Sequence, residues 1–310
     1  MAGELVTGPG LIQWGSLLLG RSQAAGVATS YRWRSITGWE ETPGLDSGTQ
    51  LRAQQHGGWP GRQLAQTRII TLEGLMVRVP AGQIGSAVRT LAAATAIGLE
   101  EEAPLVVQLD ERGPLLVNAR VLRRELPVDP RWQLGHSAGG AIQWEASDPR
   151  RYSLTEQVAS SALPQPEAGL AWGSPSETGL AWGSPAETGL VWGTPGSTGD
   201  LLCLNSGDAP VHPVIEVRGP VTTPALTLLG TGVLLEYDLT LGATDVLVVD
   251  TWAGTVLLGG QSRIGYATAR SQPEGALTLP PGTNTITFRS ADAIPNPAAS
   301  ATVRWRSAYW

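Results

Sequence analysis

The residues whose types and spacing most suggest chemistry form Gly135-His-Ser-Ala-Gly-Gly140. They fit the G-x-S-x-G elbow, in which a sharp strand-to-helix turn exposes a nucleophilic serine. In that chemistry Ser137 attacks an acyl carbon, a histidine takes its proton and a carboxylate orients the histidine. The chain order is available: Asp148, Asp200 and Asp208 follow Ser137, and His212 follows them. Upstream, His56-Gly57-Gly58 has the form of an oxyanion-hole segment. The surroundings point elsewhere. After Gly140 the chain alternates Ile142, Trp144 and Ala146 against polar or small residues, a strand pattern where the elbow needs a helix. The serine segment is therefore expected as a hairpin loop. A serine hydrolase using Ser137 stands only as the lesser alternative, and the chain is read as non-enzymatic.

Other chemistries lack their residues. His56, His136 and His212 are isolated, without metal-ligand spacing. A single cysteine, Cys203, excludes an internal disulfide and a thiolate cluster. The chain contains no lysine, so a phosphate-cradling Gly-Lys-Ser/Thr loop is excluded. Arginines occur as the pairs Arg32/Arg34, Arg123/Arg124 and Arg150/Arg151, which are expected to form surface or interface ion pairs. The acidic run Glu100–Glu102 reads as a solvated loop. Trp252, beside Asp250, reads either as a core or rim residue or as a platform for stacking on a sugar ring. No catalytic residue, cofactor or metal is assigned.

The elements that would position these residues are strands. The chain has 310 residues, with 39 Gly, 23 Pro and 12 Trp, 15% charged residues and a net charge of -6. That length suggests two domains, and a hydrophobic fraction of 42% excludes a disordered chain. The longest apolar runs fall short of a membrane-spanning helix, and no secretion signal is read at the N-terminus. An acidic, lysine-free chain is a poor nucleic-acid coat. Strands are expected around Gly10–Gly20 (two, around a turn), at Tyr31–Thr37, and at Arg68–Val79 with a bulge at Gly74. More are expected at Leu105–Leu109, Leu115–Leu122 and Ala141–Glu145. A loop rich in Gly, Pro, Asp and Gln precedes Arg68. One helix is expected over Gln83–Ile97, with Gly98 at its C-terminal cap, and Ser147–Tyr152 closes the unit as a turn. From Asp200 onward, regularly spaced strands with Gly/Pro turns indicate an antiparallel sandwich or jelly roll.

Between these regions, residues 153–199 hold a ten-residue repeat. Gly169-Leu-Ala-Trp-Gly-Ser-Pro is followed by Gly179-Leu-Ala-Trp-Gly-Ser-Pro and Gly189-Leu-Val-Trp-Gly-Thr-Pro. The period is too short for a solenoid or propeller. The segment reads either as a semi-extended linker grown by duplication or as an arm that docks Trp172, Trp182 and Trp192 on a neighbouring subunit. The expected organisation is thus 1–152, a repeat segment 153–199, and 200–310.

The order of several short motifs along the chain resembles the distal tail proteins of long-tailed siphophages, of the actinobacteriophage minor-tail type. In the first region these are Tyr31-x-Trp33 with Gly38-Trp39, Gly58-Trp-Pro-Gly61, Arg68-Ile-Ile-Thr-Leu-Glu-Gly74 followed by the helix, and Ser147-Asp-Pro-Arg-Arg-Tyr152. In the last region they are Asn205-x-Gly207, Pro213, Gly219-Pro220, Asp250 and Gly260-x-Ser262-Arg263. Leu279-Pro-Pro-Gly-x-Asn284, Phe288-Arg289 and the terminal Trp305–Trp310 complete the series. The decapeptide repeats depart from that pattern. The resemblance implies an N-terminal β-sandwich-like belt domain with one helix and a C-terminal galectin-like or jelly-roll β-sandwich. It implies a structural role in the virion tail tip or baseplate, assembled in the host cytoplasm. Six copies would form a ring between the tail tube protein and the tail tip protein, through which DNA passes. The alternative reading is a carbohydrate-binding module that attaches to a host cell-wall glycan through the C-terminal sandwich, with Trp252 as the candidate contact. No specific nucleic-acid binding and no membrane insertion are implied.

Overall fold

A computed structural model describes residues 2–21, 29–98, 101–167 and 196–310. The chain divides into two units, Met1–Thr155 with Ala308–Trp310, and Glu156–Ser307.

In the first unit, apolar residues at alternate positions bury one face of each strand and force the sheet to curl around them. The strands are β1 (Leu11–Trp14), β2 (Leu17–Arg21), β3 (Tyr31–Trp33), β4 (Ser35–Thr37), β5 (Leu45–Ser47), β6 (Gln50–Leu51), β7 (Gly58–Trp59), β8 (Gln63–Ala65) and β9 (Arg68–Arg78). The helix α1 (Ile84–Ala94) follows, then β10 (Ala103–Gln108), β11 (Leu115–Glu125), β12 (His136–Ala146) and β13 (Arg151–Ser153). The main sheet runs β10-β1-β2-β3-β9-β12-β11, and β11 pairs back with β10, so it closes into a barrel without free edges. The expected sandwich-like layer is realised as this closed sheet. Its interior is filled by Trp14, Trp33, Ile70, Leu72, Leu75, Val77 and Trp144, with Trp39 and the helix residues Ala87 and Leu91 in the same cluster.

Gly74 is the expected bulge. Glu73 faces Ala141 and Leu75 faces Gly140, which leaves Gly74 as the extra residue, at φ +64°. A side chain there would meet a left-handed backbone and the Arg34 stem. The bulge also explains why Tyr31–Thr37 is two strands instead of one. The break, at Arg34, falls at the bulge, where the Arg34 N–H donates to the Glu73 carbonyl.

The helix is shorter than its apolar pattern. It ends at Ala94, and Thr95 caps it by donating its hydroxyl to the Leu91 carbonyl at 2.6 Å, so Gly98 lies beyond the cap. Strand side chains stop it: the Trp14 indole N–H donates to Ala94 O at 2.7 Å, and Arg124 donates to Ala92 O and to the Thr95 hydroxyl. These donors satisfy carbonyls that a helix end leaves open. Arg124 is thus a helix-capping residue and not a surface ion pair.

The second unit is an antiparallel sandwich. Its strands are β14 (Gln157–Ala162), β15 (Asp200–Asn205), β16 (Val214–Arg218), β17 (Val221–Thr222), β18 (Ala225–Leu228) and β19 (Val233–Glu236). Then come β20 (Thr240–Leu241), β21 (Val246–Asp250), β22 (Thr255–Leu258), β23 (Gln261–Ser262), β24 (Gly282–Arg289) and β25 (Ser300–Trp305). One sheet has the order β14-β25-β16-β21-β22-β23, the other β15-β24-β18-β19, and β17 pairs with β20. Strict alternation along β15, β16, β21 and β25 puts Leu201, Cys203, Ile215, Val217, Leu247, Val249, Ala301 and Val303 in the core.

Two boundaries differ from the sequence reading. The last strand, β26 (Ala308–Tyr309), pairs with β13 and belongs to the first unit. At the other end, β14 lies within the stretch 153–199 but is paired with β25, so the second unit begins at Glu156. Beyond β14, Gln165 and Ser197 exchange backbone hydrogen bonds of 2.8 and 3.0 Å. In the sequence the repeats lie between these two bridged residues. Trp172, Trp182 and Trp192 lie outside the described residues.

Candidate interaction surfaces

Ser137 is built into the barrel wall. It sits in β12, faces Val77 of β9, is 2% exposed, and donates its hydroxyl to the Pro127 carbonyl at 2.7 Å. The expected hairpin loop is instead the first half of a strand. The register slips between Ser137 and Gly140, which the small residues Ala138 and Gly139 (φ +84°) accommodate. The segment before it is a short 3-10 turn, Pro130–Leu134, whose Asp129 carboxylate accepts the Arg131 N–H. The helix that an elbow requires is not at this place in the chain.

The loop before Arg68 is a projecting ribbon. β5 pairs with β8 and β6 with β7, so residues from Gly44 to Gln66 form a long, two-stranded hairpin. Its strands cross closely at one point, where a Cβ on Gly61 would lie 2.2 Å from the Gly48 carbonyl oxygen, so glycine is required there. From Gly44 through Thr67 no residue is buried. Yet Leu45, Leu51, Trp59 and Leu64 are on it, Leu51 86% and Trp59 64% exposed, with the Arg52 guanidinium 4.2 Å from the Trp59 ring centre. A lone two-stranded ribbon is marginal in water, and clustered apolar side chains of this kind mark contact surfaces.

The base of the ribbon is held rigidly. Arg68, at the start of β9, is 1% exposed. Its Nε donates to Pro149 O at 2.6 Å, and its Nη1 donates to the carbonyls of Gly38, Trp39 and Glu41 at 2.8 to 3.0 Å. Burial, reinforced by the neighbouring Arg151 charge, pushes its pKa down to about 10, and it stays protonated at neutral pH. Arg151, also buried, pairs with Glu40 at 3.2 Å, lies 6.0 Å from the Trp39 ring centre, and donates to the Trp310 carbonyl. Arg150 is buried against Asp148 at 2.8 Å, and the Tyr152 hydroxyl donates to the same carboxylate. The pair Arg150/Arg151, expected to form surface or interface ion pairs, does form ion pairs, with both arginines buried. Burial raises the cost of charging Glu40, but hydrogen bonds and charge from Arg112 and Arg151 hold its carboxyl below the usual range.

In the second unit Trp252 is 58% exposed on the turn after β21. The Asp250 carboxylate accepts the N–H groups of Trp252 and Ala253, both at 2.9 Å, and the buried Thr251 hydroxyl donates to Pro213 O at 2.7 Å. His212 stands edge-on to the indole with ring centres 5.1 Å apart. The ring is presented on a pinned turn. Cys203 is buried and its thiol is pushed up to about 12 by desolvation. Among the described residues no three His, Cys, Asp or Glu converge as metal ligands, and no helix is long and apolar enough to cross a membrane.

Residues 206–309 match the family described as siphovirus-type tail component, C-terminal domain. The C-terminal third of this chain is therefore similar to the C-terminal domain of siphovirus-type tail components. The resemblance to distal tail proteins extends to the fold. The crystal structure of SPP1 Dit (gp 19.1), described as a paradigm of the hub adsorption apparatus of phages infecting Gram-positive hosts, aligns with a TM-score of 0.58 at 12% identity. That alignment covers 91% of this chain and 94% of that one. Structures of the phage p2 baseplate in its activated conformation are also found. The Ca form has a TM-score of 0.45 and 10% identity, covering 89% of this chain and 90% of that one. The Sr form has a TM-score of 0.47 and 10% identity, covering 95% and 96%. No curated protein sequence matches.

The sequence singled out Trp252 as a surface candidate and missed the ribbon. Leu45, Leu51, Trp59 and Leu64 are scattered among Gly, Gln and Pro, so no period marks them. The available signal was the count of large apolar residues in a loop otherwise polar.

Proposed function

We propose that this chain is a structural, non-enzymatic ring protein of a phage tail tip. Several copies, six by the family resemblance, join the tail tube protein to the tail tip protein and let DNA pass. The observation that carries this reading is the ribbon: four exposed apolar side chains on a hairpin with no buried residue, anchored at its base by a buried arginine. Such a hairpin gains its stability from a neighbour, and a closed ring of identical subunits supplies one through heterologous contacts. The exposed Val128 and Leu134, on the β11–β12 connection of the same unit, offer a second apolar surface for a neighbouring subunit.

The charges suit a DNA conduit. Phosphate affinity comes from free Lys and Arg. This chain has no lysine, and Arg112, Arg120, Arg131, Arg150, Arg151, Arg289 and Arg304 are each tied to a carboxylate. Particle mass and negative-stain images of the purified chain test the proposal. Rings with a central opening are expected, and a monomer at every concentration with no ring in virions sinks it. Assembly in the host cytoplasm precedes incorporation into the virion.

A second reading rests on Trp252. An indole presented on a pinned turn, beside His212, suits stacking on a sugar ring of the host cell wall. Glycan pull-down by the full chain, with and without Trp252→Ala, decides it. Equal retention removes Trp252 as the contact.

A further inference from the structure

The two outer faces of the second unit differ in charge. On the six-stranded sheet, outward residues of β16 and β25 form ion pairs: Glu216 with Arg304 at 3.2 Å and with Arg218 at 3.7 Å. This is an ordinary solvent face. On the four-stranded sheet the charges gather at one end only, where Asp200 pairs with Arg289 at 3.0 Å and Glu236 lies across from Ala225. The rest of that face is uncharged. Leu202 and Leu204 of β15 face Thr285 and Thr283 of β24. The Leu229 N–H, at the end of β18, donates to the Thr285 carbonyl, and Leu234 of β19 faces Thr227. Leu202, Leu204 and Leu229 are 66%, 49% and 60% exposed. Leucines lined up across a sheet with no charge between them make a surface built to be covered.

The chain itself supplies a cover of matching chemistry. β15 begins at Asp200, just after the Gln165–Ser197 bridge, and the stretch of sequence between the bridged residues carries the Leu-Ala-Trp and Leu-Val-Trp units. That segment contains no Lys or Arg. Half of it, about fourteen residues, reaches up to about 46 Å when extended. The face is narrower, since four strands at about 4.8 Å spacing span roughly 15 Å. Strand addition at the sheet edge does not compete well: the Leu204 carbonyl already accepts the Trp305 indole N–H at 2.9 Å, and a proline in every unit limits ladder pairing. Contact through side chains remains.

We propose that the uncharged Leu202/Leu204/Leu229 face is the docking surface for the tryptophan units of the same chain's segment 168–195. The inference is independent of ring formation.

Limited chymotrypsin digestion of the full-length protein tests it, with cut sites within 168–195 located by mass spectrometry. Docking protects the segment, and cleavage follows the undocked population. In Leu202→Lys/Leu204→Lys, cleavage there is expected to be faster by about tenfold or more. The melting temperature stays close to that of the native chain, because both leucines are exposed. Leu202→Thr/Leu204→Thr, which keeps strand propensity, moves cleavage in the same direction. Equal rates in the native chain and both variants overturn the proposal. So does protection that disappears on dilution, which assigns the segment to a neighbouring copy. Failure of the ring reading shows only in particle mass and leaves the cleavage ratio unchanged.

Discussion

The two units bury strands of similar composition in different ways. The first closes its sheet and places charged groups inside: Arg68, Arg150 and Arg151 are each buried. The second leaves its sheets open and, apart from Glu274 beneath the Tyr237 hydroxyl, buries neutral polar groups such as Asn205, Thr251, Asn284 and Ser307. A buried guanidinium is costly, and apolar replacements of buried ion pairs often stabilise a fold. Its presence in the first unit alone calls for a task that apolar packing cannot do. That task is to fix the direction of a projecting hairpin, by gathering the carbonyls of Gly38, Trp39 and Glu41 around one cation. The second unit positions only short turns, and neutral side chains suffice.

This contrast is open to direct attack. The largest effect is expected for Arg68→Ala, which strands four carbonyls and should cost about 3–5 kcal/mol, read by denaturant unfolding. A loss under about 1 kcal/mol would erase the distinction between the units. Next is Asn205→Ala, whose amide donates to Ala209 O and Leu279 O at 2.8 and 3.1 Å. Removing a neutral hub should cost about 1–3 kcal/mol by the same assay, so a cost above that of Arg68→Ala would invert the comparison. Smaller again in stability is Leu51→Ser/Trp59→Ser on the ribbon, within about 0.5 kcal/mol of the native chain. Particle mass is the sensitive readout there, and full ring assembly by this variant would remove the ribbon from the interface.

The smallest effect is pH dependence at Glu40. Its folded pKa lies below the unfolded value, so its contribution is complete above the unfolded value and declines as pH falls through the folded one. Stability should therefore fall on acidification below the ordinary glutamate range, and Glu40→Gln should flatten that slope. An identical slope in the variant would show that Glu40 adds nothing to the base of the ribbon.

Much of the fold was legible because strands announce themselves by alternation. Val214–Arg218 appears where its pattern places it, and Gly74 was visible as a glycine inside a long strand. The helix end was not legible, since the Ala-rich run continues past Ala94 and the stop comes from Trp14 and Arg124, distant in sequence. The burial of Arg68 was hidden for a related reason. A charge before Ile-Ile reads as a strand entering from solvent, and its partners come from loops far along the chain. Ser137 shows the reverse error, in which a glycine-rich stretch suggested a loop although β9 pairs with it. The surface candidates divide likewise. Trp252 stood out as a lone aromatic by an Asp, whereas the ribbon needed pairing information that a loop-like composition conceals.

The backbone clasp between Gln165 and Ser197 has a consequence for how such chains vary with descent. A decapeptide gained or lost by recombination between near-identical copies changes only the number of residues between the two bridged positions. The closure entropy of one more ten-residue unit is well under about 1 kcal/mol, and neither unit of the fold changes register. Copy number is then almost free of folding constraint, and selection can set it by whatever the tryptophans touch.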